Sequence, residues 1–170
     1  AYFMILISKI LGCLFFAQDF FAAWTMTPLL TVSTIFSTLS LFLGAQFTAS
    51  KRSDLHLKSN IISMMANVIL NFILIKEMGI NGAAYGTMIS YFIVLVYRMV
   101  KTQGLIKLAF SKFKLYMMCV LLMAAATVTA VEQPGYLIIT VLLFAVSMMA
   151  YRSTIQQVVQ GIFHMIARKK

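Results

Sequence analysis

The chain reads as an all-helical, polytopic transmembrane bundle, and three observations carry that reading. Hydrophobic residues make up 62% of it and charged residues 11%, with a mean hydropathy of +0.94, whereas a soluble domain is roughly half apolar and about a quarter charged. The apolar residues fall into six runs, most of them near the roughly 17–25 residues that cross a bilayer as helix. The basic residues gather on alternate connections between those runs, the distribution that orients helices in a membrane.

The six expected spans are residues 2–16, 25–48, 60–75, 82–100, 115–131 and 136–151, followed by a basic amphipathic tail over 152–170. Lys51, Arg52 and Lys58 mark one connection, Arg98, Lys101, Lys107, Lys112 and Lys114 a second, and Arg152, Arg168, Lys169 and Lys170 the tail. Asp19, Glu77 and Glu132 lie on the opposite connections, with only Lys76 beside them. Both ends of the sequence are therefore expected on the cytoplasmic side. A net charge of +10 spread in this way argues against a nucleic-acid partner, which calls for one basic patch. The sequence opens inside an apolar run, without an initiator Met or the features of a signal peptide, so it is read as a fragment whose N-terminal part is missing.

In the first run Lys9 lies seven residues from the outer end at Phe16. It either snorkels to an interface or faces a cavity, where an ammonium suits a diphosphate or an acidic sugar. Trp24 after it is expected at the membrane interface. Cys13 and Cys119 show neither metal-ligand nor redox spacing and read as small apolar filler.

The second run carries nine Ser or Thr residues between Thr25 and Thr48. Thr27, Thr31, Thr34 and Thr38 form one stripe, and Ser33, Ser37 and Ser40, continued by Gly44, a neighbouring one; Val32, Phe36, Leu39 and Leu43 take the other side. Such a helix suits a hydrated pathway for sugar hydroxyls, or close packing through small residues. Pro28 near the outer end is tolerated in a spanning helix.

The third and fourth runs form a hairpin. Asn60, Ser63, Asn67 and Asn71, three and four residues apart, share one face, which should look into protein or a wet cavity because an unpartnered carboxamide in hydrocarbon is costly. Gly79 is placed to supply the left-handed residue that ends the first arm, and Asn81 to hold the turn before Gly82 starts the second. Gly82, Gly86 and Ser90 then recur every four positions, as do Ala83 and Thr87, a stripe that lets two backbones approach closely.

Residues 101–114 mix basic and apolar side chains and suit the cytoplasmic interface. The last two spans meet at Glu132-Gln133-Pro134-Gly135, carry few polar residues and are expected to be peripheral. No acid falls inside a span, and no phosphate loop or metal motif occurs. His56 and His164 lie in basic segments and read as solvated. No enzyme active site, cofactor or metal centre is expected.

Asn67-Val68-Ile69-Leu70-Asn71, Ile75, Gly79-Ile80-Asn81-Gly82-Ala83-Ala84, Thr87, Ile89-Ser90-Tyr91 and Arg98 resemble the C-terminal half of bacterial polysaccharide flippases. These are the O-antigen and capsule translocases of the multidrug/oligosaccharidyl-lipid/polysaccharide exporter superfamily. The likeness extends upstream through Trp24, Pro28-Leu29-Leu30, Phe36, Phe42-Leu43-Gly44 and Thr48-Ala49-Ser50-Lys51, covering about residues 20–100. Two positions depart from the family pattern: Lys76 stands where a proline is usual, and Gly86 where alanine is usual.

The resemblance implies one lobe of a two-lobe transporter in the bacterial cytoplasmic membrane. It would flip an undecaprenyl-diphosphate-linked repeat unit by alternating access, together with the missing N-terminal lobe. The pathway candidates are Lys9, Thr31, Thr34, Thr38, Asn60, Ser63, Asn67 and Asn71; the hairpin and packing candidates are Gly79, Gly82, Ala83, Ala84, Gly86 and Ser90. The alternatives within the superfamily are a peptidoglycan-precursor flippase and a cation-coupled multidrug exporter. From another class comes a membrane-embedded glycan polymerase or ligase, against which the short outer connections argue.

Overall fold

The computed structural model describes residues 2–5, 7, 24–102, 112–131, 135, 138–149 and 152. Every regular element among them is helical. We label the helices α1 (Met26–Ala49), α2 (Ser53–Met78), α3 (Ile80–Thr102), α4 (Lys112–Ala130) and α5 (Ile138–Met149). At 1.5 Å per residue α1, α2 and α3 are about 35–39 Å long, more than the ~30 Å of a hydrocarbon core. These three are long and apolar enough to cross a membrane, and the apolar stretches Leu115–Ala130 and Ile138–Met149 are shorter.

The helices begin and end close to the sequence expectations, with one large exception. α2 starts at Ser53, two turns before Asn60, because Asp54 in its first turn favours the helix N-terminus and nothing between Ser53 and Asn60 breaks the helix. The α1–α2 connection is correspondingly tight. Arg52 N–H bonds back to Phe47 O at 2.8 Å and Lys51 N–H to Thr48 O at 3.0 Å, with Lys51 in the left-handed region at φ 56°. This double closure satisfies the last α1 carbonyls.

At the other end of α2, Gly79 takes φ 59° as expected of a glycine, and its N–H bonds to Ile75 O at 2.9 Å. Its ψ of −136° lies outside the left-handed helical well, however, and α3 begins immediately at Ile80. The expected roles of Asn81 and Gly82 change accordingly. Asn81 belongs to the first turn of α3 and accepts a hydrogen bond from Thr25 Oγ1 at 3.2 Å, fastening the start of α1 to the hairpin. Gly82 is buried against α2, where a Cβ would collide with the Leu74 carbonyl, so only glycine permits this approach.

In space α3 lies between α2 and α1, and α4 packs on α1. The core sits at the α1–α3–α4 junction: Leu29, Val32, Phe36 and Leu43 meet Ala84, Met88, Leu95 and Met99, with Cys119, Leu122, Ala125 and Ala126 closing it. Phe36 and Phe92 stack obliquely at 5.6 Å. Two expectations are corrected here. Trp24, expected at an interface and standing just before α1, is 1% exposed and so packs within the protein instead of standing free as an anchor. α4, expected to be peripheral, supplies four core residues, because its small side chains on one face allow close packing on α1. α5 does lie outside, with Thr140 and Ser147 its buried residues and Thr140 3.3 Å from Thr129 of α4.

Candidate functional site

The α2–α3 hairpin pairs a carboxamide face with a small-residue face in fixed register. Asn71 sits against Gly86, where a Cβ would overlap Asn71 Oδ1. Twelve residues along each helix, Ser59 sits against Arg98 and accepts its Nε–H at 2.9 Å. Between these points Asn60, Ser63, Met64, Asn67 and Val68 of α2 and Thr87, Ser90 and Tyr91 of α3 line a groove of about 460 Å³.

The two walls of the groove differ in hydrogen-bonding sense. On α2, Asn60 Oδ1 is taken by Arg98 at 2.6 Å and Asn67 Oδ1 by the Asn71 amide at 3.0 Å. Both carboxamides therefore turn their NH2 groups, which only donate, toward other partners. On α3, Thr87 Oγ1 donates to Ala83 O at 2.9 Å and Ser90 Oγ to Gly86 O at 2.7 Å. Those hydroxyls have spent their protons inside their own helix and keep lone pairs that accept. No charged side chain lines the groove.

At one end of the groove stands a guanidinium that sequence reading placed among the cytoplasmic charges. Arg98 is 2% exposed. Besides the Ser59 and Asn60 bonds, it donates to the Ser40 carbonyl at 2.6 Å, so one planar fork ties α1, α2 and α3 together. Ser59 in turn donates to His56 O at 2.7 Å, and Thr102 to Arg98 O at 2.7 Å. His56, expected to be solvated, is half-buried and donates Nδ1–H to Gly44 O at 3.1 Å. Gly44 is what makes room, since a Cβ there would stand 2.5 Å from Arg98 Nη1 and 2.9 Å from His56 Cε1. The sequence did hold a signal for this node: Gly82, Gly86 and Ser90 continue at the same spacing through Val94 to Arg98, on the face turned to α2.

The other expected site residues are placed as follows. Asn60, Ser63 and Asn67 line the groove, and Asn71 lies one turn beyond the lining, its Oδ1 buried beside Gly86 without a hydrogen-bond partner among the described residues. Gly82, Gly86 and Ser90 face α2, whereas Ala84 turns into the core and Ala83 serves as acceptor for Thr87. Thr31, Thr34 and Thr38 do not reach the groove. Their hydroxyls bond to Thr27, Thr31 and Thr34 carbonyls at 2.8 Å, and Thr34 and Thr38 are exposed on α1. Lys9 and the tail beyond Arg152 lie outside the described residues. Among the described residues no cluster of His, Cys, Asp or Glu could hold a metal ion.

The fold and groove define an all-helical protein whose apolar helices are compatible with a membrane. No family model, curated protein or solved structure matches the chain.

Proposed function

We propose that the chain is one lobe of a transporter that flips a lipid-linked oligosaccharide across the bacterial cytoplasmic membrane. In this reading about six spans traverse the bilayer, both ends and the α1–α2 turn at Ser50–Arg52 are cytoplasmic, and an N-terminal lobe completes the pathway. The observation that supports it most is the neutral groove between two membrane-length helices. A polar, uncharged surface at that depth suits a glycan, because each sugar hydroxyl replaces lost water with amide and hydroxyl partners. α2 supports it also, since most of its large apolar residues outside the α3 contact are exposed and suit lipid or a second lobe. The resemblance of residues 20–100 to polysaccharide flippases supplies the substrate class.

The test is complementation of a flippase-deficient strain with the full-length protein. Asn67→Leu together with Asn71→Leu should abolish surface glycan while the protein remains inserted and abundant. Normal glycan from that variant would end the assignment of the groove to the pathway. Impermeant labelling of a cysteine placed at Ser53, from outside intact cells, would overturn the topology.

A further inference from the structure

We infer that the groove selects an uncharged sugar substituent that both donates and accepts hydrogen bonds, and above all an acetamido group, over a carboxylate or an ammonium. The inference rests on the transporter reading above and deepens it. Its warrant is the opposed polarity of the walls.

The α2 wall offers the NH2 groups of Asn60 and Asn67, whose oxygens are occupied by Arg98 and Asn71. The α3 wall offers the lone pairs of Thr87, half-buried at the groove with its proton turned back to Ala83; Ser90, 1% exposed, forms the floor and bonds to Gly86. A group between them must accept on one side and donate on the other. An N-acetyl substituent does this with its carbonyl toward α2 and its N–H toward α3, and a sugar hydroxyl does it with a single oxygen. A carboxylate accepts only, so it would satisfy α2 and confront the α3 lone pairs. An ammonium donates only, so it would satisfy α3 and confront the α2 amides. Neither charge finds a counter-ion among the lining residues, which are neutral, and the Arg98 guanidinium behind Asn60 has its N–H groups committed to Ser40, Ser59 and Asn60. Tyr91, with Met64 and Val68, supplies apolar surface for the face of a sugar ring.

The two walls do not depend on each other for this polarity. Asn60 is oriented by a guanidinium, which has only donors, and so must present its oxygen to Arg98. Ser90 and Thr87 are oriented by helical carbonyls four residues back, which only accept.

The experiment measures binding of three octyl glycosides to the full-length protein in nanodiscs, each below its micelle-forming concentration. They are octyl N-acetylglucosaminide, octyl glucuronide and octyl glucosaminide, which share an alkyl chain and differ in one substituent. The acetamido glycoside should bind at least about tenfold more tightly than either charged one, the discrimination expected when a single buried polar group is left unpaired. Asn67→Asp keeps the shape and the bond from Asn71 but replaces a donor by a carboxylate oxygen. It should move the preference to the amino sugar. Equal or tighter binding of the glucuronide, or an unchanged order in Asn67→Asp, overturns the selectivity. If that happens while Asn67→Leu with Asn71→Leu still abolishes surface glycan, the transporter reading stands without it. Failure of all three glycosides to bind, with glycan unaffected by that double variant, removes both.

Discussion

α3 presents two unlike faces to its neighbours, and the contrast explains how this hairpin is held. Toward α1 it buries Ala84, Met88, Leu95 and Met99 in an apolar core. Toward α2 it offers Gly82, Gly86, Ser90 and Arg98, and the contact is made by close backbone approach and hydrogen bonds. In a bilayer apolar contact between helices gains little over contact with lipid, so packing shape and polar bonds decide association. The α1 face spreads its hold over many side chains. The α2 face is held by close backbone approach along the hairpin and by polar bonds, leaving most of the remaining large side chains of α2 exposed. α2 is thus the helix whose position single substitutions control.

The strongest way to break this comparison is at Arg98. Arg98→Met should cost about 3 kcal/mol, because it leaves the Ser40, Ser59 and Asn60 acceptors without their charged donor. Arg98→Lys should not restore it, since one ammonium cannot reproduce a planar fork reaching three helices. Thermal unfolding of the protein in detergent, with protease cutting at the α1–α2 turn, Ser50–Arg52, as a second reading, measures both. An unaltered melting curve for Arg98→Met would mean that α2 is held elsewhere.

Two glycines sharpen the contrast along the hairpin. Gly82→Ala drives a Cβ into the backbone at Leu74 and Ile75, which cannot turn aside, and should cost about 2 kcal/mol. Gly86→Ala meets chiefly the Asn71 side-chain oxygen, which can rotate, and should cost about 1 kcal/mol. A reversed order of the two melting temperatures would show that the carboxamide is the more rigid contact.

On the proposed transporter reading, the polar and the exposed apolar positions of α2 should differ more in transport than in stability. Replacing Asn67 and Asn71 by Leu should reduce surface glycan far more than replacing Ile69 and Phe72 by Ala, since the latter are 53% and 66% exposed. Equal loss from both pairs would remove the distinction between the faces. The smallest effect is at the α1–α2 connection, where Lys51→Gly should raise stability by about 1 kcal/mol by relieving the Cβ of a residue at φ 56°. A lowered melting temperature would show that the Lys51 side chain contributes more than its backbone strain.

Much of this architecture was legible beforehand. The boundaries of α1 and α3 follow from apolar length, Gly79 from the need for positive φ, and the shared face of Asn60, Ser63 and Asn67 from helical spacing. Less legible was the fate of residues whose type has two opposite uses. Arginine near a helix end usually anchors at an interface, tryptophan likewise, and threonine stripes serve either a pathway or their own helix. Arg98 and Trp24 are buried, and Thr31, Thr34 and Thr38 bond within α1.

By itself the sequence determined that the chain is helical and apolar, where α1 and α3 run, and which face of α2 must find polar company. Those properties are local: they depend on hydropathy, periodicity and the conformations open to glycine. Only the tertiary structure decided that Gly44 opens a place for the Arg98 guanidinium, that Gly86 receives Asn71, and that the Asn60 and Asn67 oxygens are occupied by Arg98 and Asn71. All but the Asn67–Asn71 bond depend on which residue of one helix stands opposite which residue of another. That register is set by backbone contact at Gly82 and by one cation reaching three helices, and no single helix encodes it.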